Sequence, residues 1–292
     1  MNKIPFDHRP AWVEPDDEKP SLNRRAFLTT SVAVGFAAAV QPVMAQVIHT
    51  DSDGLVAGQV TVPVADGQIP AYRAYPAKGG PFPTVIVVHE VFGVHEHIQD
   101  VVRRFAKLGY YAICADLYSR QGDVAKMQDM KDVMMVVGKT PDAQVLSDLD
   151  STVAYLGKTG QADVNRIGVT GFCWGGRITW LYAHHNPKVK AGVAWYGPLS
   201  STNPERPSVI SLVPTLTVPV LGLYAGKDAH ITADDVTATR EALKGSSSKS
   251  EIVVYADADH GFNADYRPTY DKSAADDGWK RLQGWFKAHG VA

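Results

Sequence analysis

The stretch VTGFCWGGRITW, residues 169–180, determines how the rest of the sequence is interpreted. An apolar segment ends at Gly171, and a pattern typical of a helix follows Gly175. This is the outline of the sharp strand-to-helix turn that presents a nucleophile in the pattern G-x-S-x-G, with Cys173 in the place of serine. Two interpretations are open: Cys173 is a catalytic thiol, or it is a buried cysteine that serves packing alone.

Strands and helices alternate on both sides of this turn. Two alternating segments joined at 65–67 predict a β-hairpin, and the later apolar runs predict strands buried on both faces. The segments between those runs have helical patterns, including a less regular one over 121–143. This alternation indicates an α/β fold with a mostly parallel central sheet and helices on both faces. Because no linker interrupts it, residues 46–292 are predicted to form a single domain.

Reactive side chains stand just past the ends of four predicted strands. In chain order they are Glu90, Cys173, Asp228 and His260. The carboxyl ends of parallel strands lie at one edge of a sheet, so these side chains are expected to converge. The order nucleophile, acid, histidine is the chain order of the catalytic triad in α/β hydrolases.

Each residue type fits a chemical role. Cys173 precedes the first turn of a helix, where unpaired N–H groups favour a thiolate. His260 can move the thiol proton and later activate water, and Asp228 can hold its tautomer. The backbone N–H groups of Val91 and Trp174 are the predicted oxyanion hole.

The first residues have the pattern of an export signal. Arg24 and Arg25 are followed by a modestly apolar stretch and by VMA at 43–45. We predict a signal peptide over 1–45, cleaved after Ala45, that resembles a twin-arginine signal. The chain is then expected to be exported by the twin-arginine machinery and to act in the periplasm. The alternative is a short amphipathic helix on a cytosolic protein.

Composition and spacing argue against other classes of protein. The net charge is −2 and the pI is about 6.5, with no basic stripe for nucleic acid. HEVFGVHEH lacks the H-E-x-x-H spacing of a metal site. The sequence contains no C-x-x-C motif, which argues against a thiol redox protein. We therefore expect no metal, no cofactor and no nucleic-acid partner, and a monomer whose partner is a small-molecule substrate.

Five motifs together resemble the dienelactone hydrolases, which are α/β hydrolases with a cysteine nucleophile: HEVFGV, ADLYSRQ, GFCWGG, GKDAHI and DADHGF. The resemblance runs from about residue 59 to the C-terminal helix. It implies a hydrolase of lactones or activated esters that acts through an acyl-thiol. It maps the family triad onto Cys173, Asp228 and His260. It also implies that Glu90 keeps the resting thiol protonated until substrate binds.

The sequence departs from that family at the groups that bind the substrate carboxylate. The family uses two arginines, but residues 121–143 contain none, and Ala264 stands four residues after the catalytic histidine. Tyr118 matches a family active-site tyrosine and is a predicted substrate contact. Arg120 is the other predicted contact, and two further arginines are possible replacements: Arg177 and Arg267. The departure also leaves open an exported binding or sensing protein on a hydrolase scaffold.

The two cysteines are not expected to form a disulfide. In the sheet that the resemblance implies, the strand TVIVVH lies between the strands that carry Cys114 and Cys173. Two strand spacings separate those cysteines by about 9 to 10 Å, whereas a disulfide needs Cα atoms within roughly 7 Å.

Overall fold

The protein is described by a computed structural model that covers residues 48–203 and 205–292. The predicted signal peptide and its cleavage site lie outside these residues. In the part of the chain that the structure covers, no helix is long and apolar enough to span a bilayer.

One eight-stranded sheet forms the centre of the molecule, in the order β1-β2-β4-β3-β5-β6-β7-β8. The strands are β1 (Leu55–Val64), β2 (Gly67–Pro76), β3 (Phe82–Val88), β4 (Tyr111–Ala115), β5 (Ala162–Phe172), β6 (Val189–Trp195), β7 (Val220–Ala225) and β8 (Glu251–Tyr255). Strands β3 to β8 pair in parallel, and the β1–β2 hairpin adds to β4 in antiparallel orientation. The predicted fold class is confirmed.

Helices connect the parallel strands and cover the sheet. They are α1 (Glu96–Lys107), α2 (Met130–Lys139), α3 (Asp142–Leu156), α4 (Trp174–His185), the short α5 (Val209–Leu212), α6 (Ala233–Leu243) and α7 (Lys272–Ala288). Helix α4 is the most enclosed of them, because every residue of 174–183 is buried. Its buried first turn stands directly after Cys173.

Two elements differ from the sequence prediction. Strand β5 begins at Ala162, although only RIGVT, residues 166–170, was predicted. Its first residues pair with the start of β3 (Phe82 with Ala162) before a register shift, and in residues 162–165 apolar and polar side chains alternate, with all but Ala162 at least partly exposed. This short segment carries too few strongly apolar residues to stand out as a strand in the sequence. The short α5 was not predicted either.

The strand order separates the two cysteines as expected. Strand β3 lies between β4, which carries Cys114, and β5, which ends next to Cys173. Both thiols are free and buried.

Protein purified without reductant and then unfolded in guanidinium chloride should show two free thiols, one for each cysteine in the chain. The reason is the intervening strand, which keeps the sulfur atoms apart. Titration with Ellman's reagent measures the count. A count of zero, with activity that appears only after reduction, would contradict the strand order.

Candidate active site

The backbone at Cys173 adopts a strained conformation. Its φ is 54° and its ψ is −118°, a combination that costs a residue with a side chain about 1–3 kcal/mol. The surrounding structure holds it there: the Cys173 N–H donates to the carbonyl of Trp195 at 3.0 Å, and the Cys173 carbonyl accepts from the N–H of Gly176 at 2.9 Å. The thiol therefore stands at a sharp turn between β5 and α4.

Two glycines make this turn possible because backbone segments meet there. A Cβ added to Gly171 would lie 2.2 Å from the carbonyl oxygen of Gly175. A Cβ added to Gly175 would lie 2.3 Å from the carbonyl oxygen of Val88. Such contacts are not possible for real atoms, so the first turn of α4 packs directly on the end of β3 only with glycine at both positions.

His260 and Asp228 meet next to this turn. The Nδ1 of His260 donates to the Oδ2 of Asp228 at 2.7 Å. The Oδ1 of Asp228 accepts from the N–H groups of His230 at 2.8 Å and Ile231 at 3.2 Å. Burial alone would raise the pKa of Asp228, but His260 and the two N–H groups reverse this and lower it. The carboxylate is therefore charged at neutral pH and fixes the orientation of the ring.

The Cys173 thiol is a hydrogen-bonding neighbour of His260. Burial would lower the pKa of His260, but the charge of Cys173 and the hydrogen bonds to Asp228 and Cys173 raise it to about 10. The neighbouring sulfur and Asp228 thus favour the protonated ring when the sulfur carries a negative charge. A protonated imidazole beside a sulfur stabilises negative charge on that sulfur.

The two backbone amides predicted as the oxyanion hole are available to a ligand. Within residues 48–203 and 205–292, neither the Val91 nor the Trp174 N–H donates to another protein group. Both residues are buried. Contact between Gly175 and the end of β3 brings the two loops together.

Glu90 is fully buried in a polar cluster with Tyr266, Arg267 and His95. It accepts a hydrogen bond from the Tyr266 hydroxyl at 2.6 Å and lies 3.3 Å from Nη2 of Arg267 and 3.5 Å from Nε2 of His95. Burial would raise the pKa of Glu90, but Arg267 and His95 lower it well below its usual range. The carboxylate is thus ionised and its charge is largely compensated by Arg267.

The three arginines considered for substrate binding have different surroundings. Arg120 forms ion pairs with Asp66 at 2.5 Å and with Asp148, and its contact with substrate stays a prediction. Arg177 forms a bidentate pair with Asp142, which ties α4 to the start of α3. Only Arg267 lies in the cluster beside the thiol.

Two buried tyrosines near the thiol have hydroxyl groups without a hydrogen-bond partner in the described part of the chain. Tyr118 was predicted, and its ring contacts Trp174 at a centroid distance of 4.7 Å. Tyr196 was not predicted. It stands just past the end of β6, so the strand-end argument that found Cys173 would also have found it. Its ring lies edge-on to His260 at 5.2 Å.

In the residues that the structure describes, no group of three or more histidine, cysteine, aspartate or glutamate side chains could hold a metal ion. The histidines of HEVFGVHEH have other contacts, since His97 pairs with Asp265 at 2.6 Å and His95 faces Glu90.

A sequence profile of the dienelactone hydrolase family matches residues 69–290. The chain belongs to the dienelactone hydrolase family. A protein of Methylorubrum extorquens named "Putative carboxymethylenebutenolidase" is 56% identical over 278 residues, which cover 93% of this chain and 95% of that protein. A protein of the same name from Escherichia coli strain K12 is 47% identical over 269 residues, or 90% of this chain and 98% of that one.

A solved structure gives the same result for the fold. The crystal structure titled "Putative Dienelactone Hydrolase" from Klebsiella pneumoniae has a TM-score of 0.78 and 48% identity, and it covers 80% of this chain and 98% of that one. The family membership and these relatives confirm the predicted class of enzyme, a carboxylic ester or lactone hydrolase of the dienelactone hydrolase type.

Replacing Glu90 by Gln should accelerate alkylation of the thiol and destabilise the fold. The change removes the negative charge that compensates Arg267. The positive charge of Arg267 interacts with the charge of Cys173, so the variant should favour negative charge on the sulfur. Loss of one partner from a buried ion pair costs about 3–5 kcal/mol. Iodoacetamide kinetics at neutral pH without substrate and chemical denaturation measure the two effects.

The matched control is Asp142→Asn, which breaks the partly buried pair with Arg177 and leaves Glu90 and Arg267 in place. It should lower the free energy of unfolding and leave the alkylation rate unchanged. If Glu90→Gln also left that rate unchanged or slowed it, Glu90 would have only a structural role.

Proposed function

We propose that this enzyme hydrolyses small lactones or activated carboxylic esters through an acyl-thiol intermediate on Cys173. The observation that carries the proposal is the chain of contacts from the Cys173 thiol through His260 to Asp228 at the ends of three parallel strands. The backbone N–H of Trp174 on the same turn and that of Val91 on the adjacent loop are of the kind that bind an oxyanion.

In the first step the thiol of Cys173 gives its proton to Nε2 of His260, and the sulfur attacks the substrate carbonyl carbon, whose oxygen becomes an oxyanion. The N–H groups of Val91 and Trp174 stabilise that charge. His260 gives its Nε2 proton to the departing alkoxide oxygen as the C–O bond breaks. The products of this step are an alcohol and a thioester on Cys173, or a single ring-opened thioester when the substrate is a lactone.

In the second step His260, now neutral, accepts a proton from water as that water attacks the thioester carbonyl. The tetrahedral intermediate expels the sulfur of Cys173 and releases a carboxylic acid. The carboxylate of Asp228 stabilises the His260 ring each time the ring becomes protonated. Glu90 opposes excess negative charge on the sulfur between turnovers, and Arg267 limits that effect.

The substrate is proposed to be uncharged near the reacting carbonyl. Arg267 is the arginine beside the thiol, and Glu90 already neutralises it. A substrate carboxylate could pair with Arg267 only by displacing Glu90, and breaking that buried ion pair is costly. The unpartnered hydroxyls of Tyr118 and Tyr196 can instead donate to neutral substrate oxygens.

The cellular setting is proposed from the sequence alone. Residues 1–45 would direct export by the twin-arginine machinery, and the mature chain would act as a monomer in the periplasm on a small-molecule substrate. Immunoblotting of periplasmic and cytoplasmic fractions, with an Arg24→Lys/Arg25→Lys variant as control, tests this part.

Replacing Cys173 by Ala should lower the hydrolysis of 4-nitrophenyl butyrate by about three orders of magnitude or more while the protein stays folded. The nucleophile is lost, and the buried alanine fits the same space. Steady-state kinetics and circular dichroism measure both. Activity above about a tenth of wild type in the variant would exclude the thiol mechanism. A wild-type protein without turnover that still binds esters would favour the binding-protein alternative.

The enzyme should prefer 4-nitrophenyl valerate to mono-4-nitrophenyl glutarate by about tenfold or more in kcat/KM, because the glutarate carboxylate meets a compensated arginine. Glu90→Gln frees Arg267 and should shift the ratio toward the glutarate ester, whatever its effect on the absolute rates. Equal or higher activity of wild type on the glutarate ester would contradict an uncharged substrate.

A further inference from the structure

His89 is a fully buried histidine that the proposed reaction does not use. It follows the end of β3 and directly precedes Glu90. In the sequence it is part of HEVFGVHEH, where metal binding was the interpretation considered and set aside. Its contacts give it a different role.

The hydrogen bonds of the ring define its tautomer. The backbone N–H of Leu117, just past β4, donates to Nε2 of His89 at 3.2 Å, so Nε2 has no proton. The Nδ1 atom lies 2.7 Å from the carbonyl oxygen of Glu90 and therefore carries the proton and donates it. Burial lowers the pKa of His89 to about 4, against the opposing effect of the bond to Glu90. At neutral pH the ring is thus neutral, with one donor and one acceptor, and both are in use.

The carbonyl that His89 binds belongs to the peptide unit of the oxyanion hole. The C=O of Glu90 and the N–H of Val91 are the two ends of one planar peptide bond. In a trans peptide they point in opposite directions. A donor that fixes the direction of the carbonyl therefore fixes the direction of the Val91 N–H. It also polarises the amide and makes that N–H a stronger donor.

The ring also contacts the other half of the oxyanion hole. It stacks on the indole of Trp174 at a centroid distance of 5.4 Å and an interplanar angle of 16°, and its edge contacts Tyr118 at 4.8 Å. A second donor to the Glu90 carbonyl, the N–H of Gly93, is longer at 3.3 Å. His89 thus provides the shorter of the two hydrogen bonds that orient this peptide.

We propose that His89 is a positioning residue. By donating a hydrogen bond to the Glu90 carbonyl, it orients the Val91 N–H of the same peptide toward the oxyanion. The inference rests on the proposed function, since an oxyanion forms only if a thiol or other nucleophile attacks a carbonyl. Its effect is specific: formation of the tetrahedral intermediate depends on His89, whereas the nucleophilicity of the thiol does not.

Two variants separate this role from packing. His89→Phe keeps an aromatic ring against Trp174 and Tyr118 but removes both hydrogen bonds. His89→Asn loses the ring but places an amide donor at the position of Nδ1. If His89 serves packing, the Phe variant should be the more active. If it positions the peptide, the Asn variant should be the more active.

The acylation rate is measured from the burst of 4-nitrophenolate, and the thiol is tested separately by iodoacetamide, an alkylation that forms no oxyanion. For His89→Phe we expect acylation and kcat to fall by about 10- to 100-fold, because small misplacements of a catalytic group have effects of this size. KM and the alkylation rate should stay within about twofold of wild type. The Asn variant should lose less than about tenfold.

The proposal is overturned if His89→Phe acylates at the wild-type rate, if Phe is more active than Asn, or if alkylation falls in parallel with acylation. If the Phe variant does not fold, the Asn variant decides alone, with a loss below about tenfold as support and a larger loss as contradiction. Failure of the proposed function is recognised independently, because in that case Cys173→Ala would retain activity.

Discussion

The close approach of the first turn of α4 to the ends of β3 and β5 is the constraint on which the site depends. Gly171 and Gly175 allow backbone atoms to meet there at distances that a side chain would prevent. That contact holds Cys173 in its strained conformation directly before Trp174, which is the first residue of α4 and whose N–H therefore has no intrahelical acceptor. It also brings the Val91 loop beside the thiol. Nucleophile and oxyanion donors are thus consequences of one packing contact.

Compensation of buried charge is the second requirement. The ends of the strands bring two carboxylates, Asp228 and Glu90, into a site without bulk water around them. Asp228 is stabilised by His260 and two backbone N–H groups, and Glu90 by Arg267 and the Tyr266 hydroxyl. An uncompensated buried carboxylate would protonate or destabilise the fold. The negative field that Glu90 exerts on the sulfur is accordingly weakened by its partner.

The sequence predicted the fold and the convergence of the strand-end residues because both follow from hydrophobic periodicity and parallel pairing. It did not predict which cations are already engaged. Arg120 contacts carboxylates 54 and 28 positions away in the chain. A local sequence motif does not reveal contacts between residues so far apart. His89 was missed for a related reason, since its function lies in the hydrogen bond to a backbone carbonyl. Tyr196 also follows the end of a strand, but a tyrosine there carries neither the charge nor the nucleophile that marks Cys173, Asp228 and His260 in the sequence.

The central claim is a covalent acyl group on Cys173 during turnover. Wild-type enzyme mixed with an activated ester of a slowly hydrolysed acid, quenched in acid within the burst and digested, should yield one acylated peptide. The account predicts that tandem mass spectrometry locates the acyl mass on Cys173 and that the adduct decays at the rate of turnover. An adduct on another residue, or turnover without any adduct on Cys173, would contradict it.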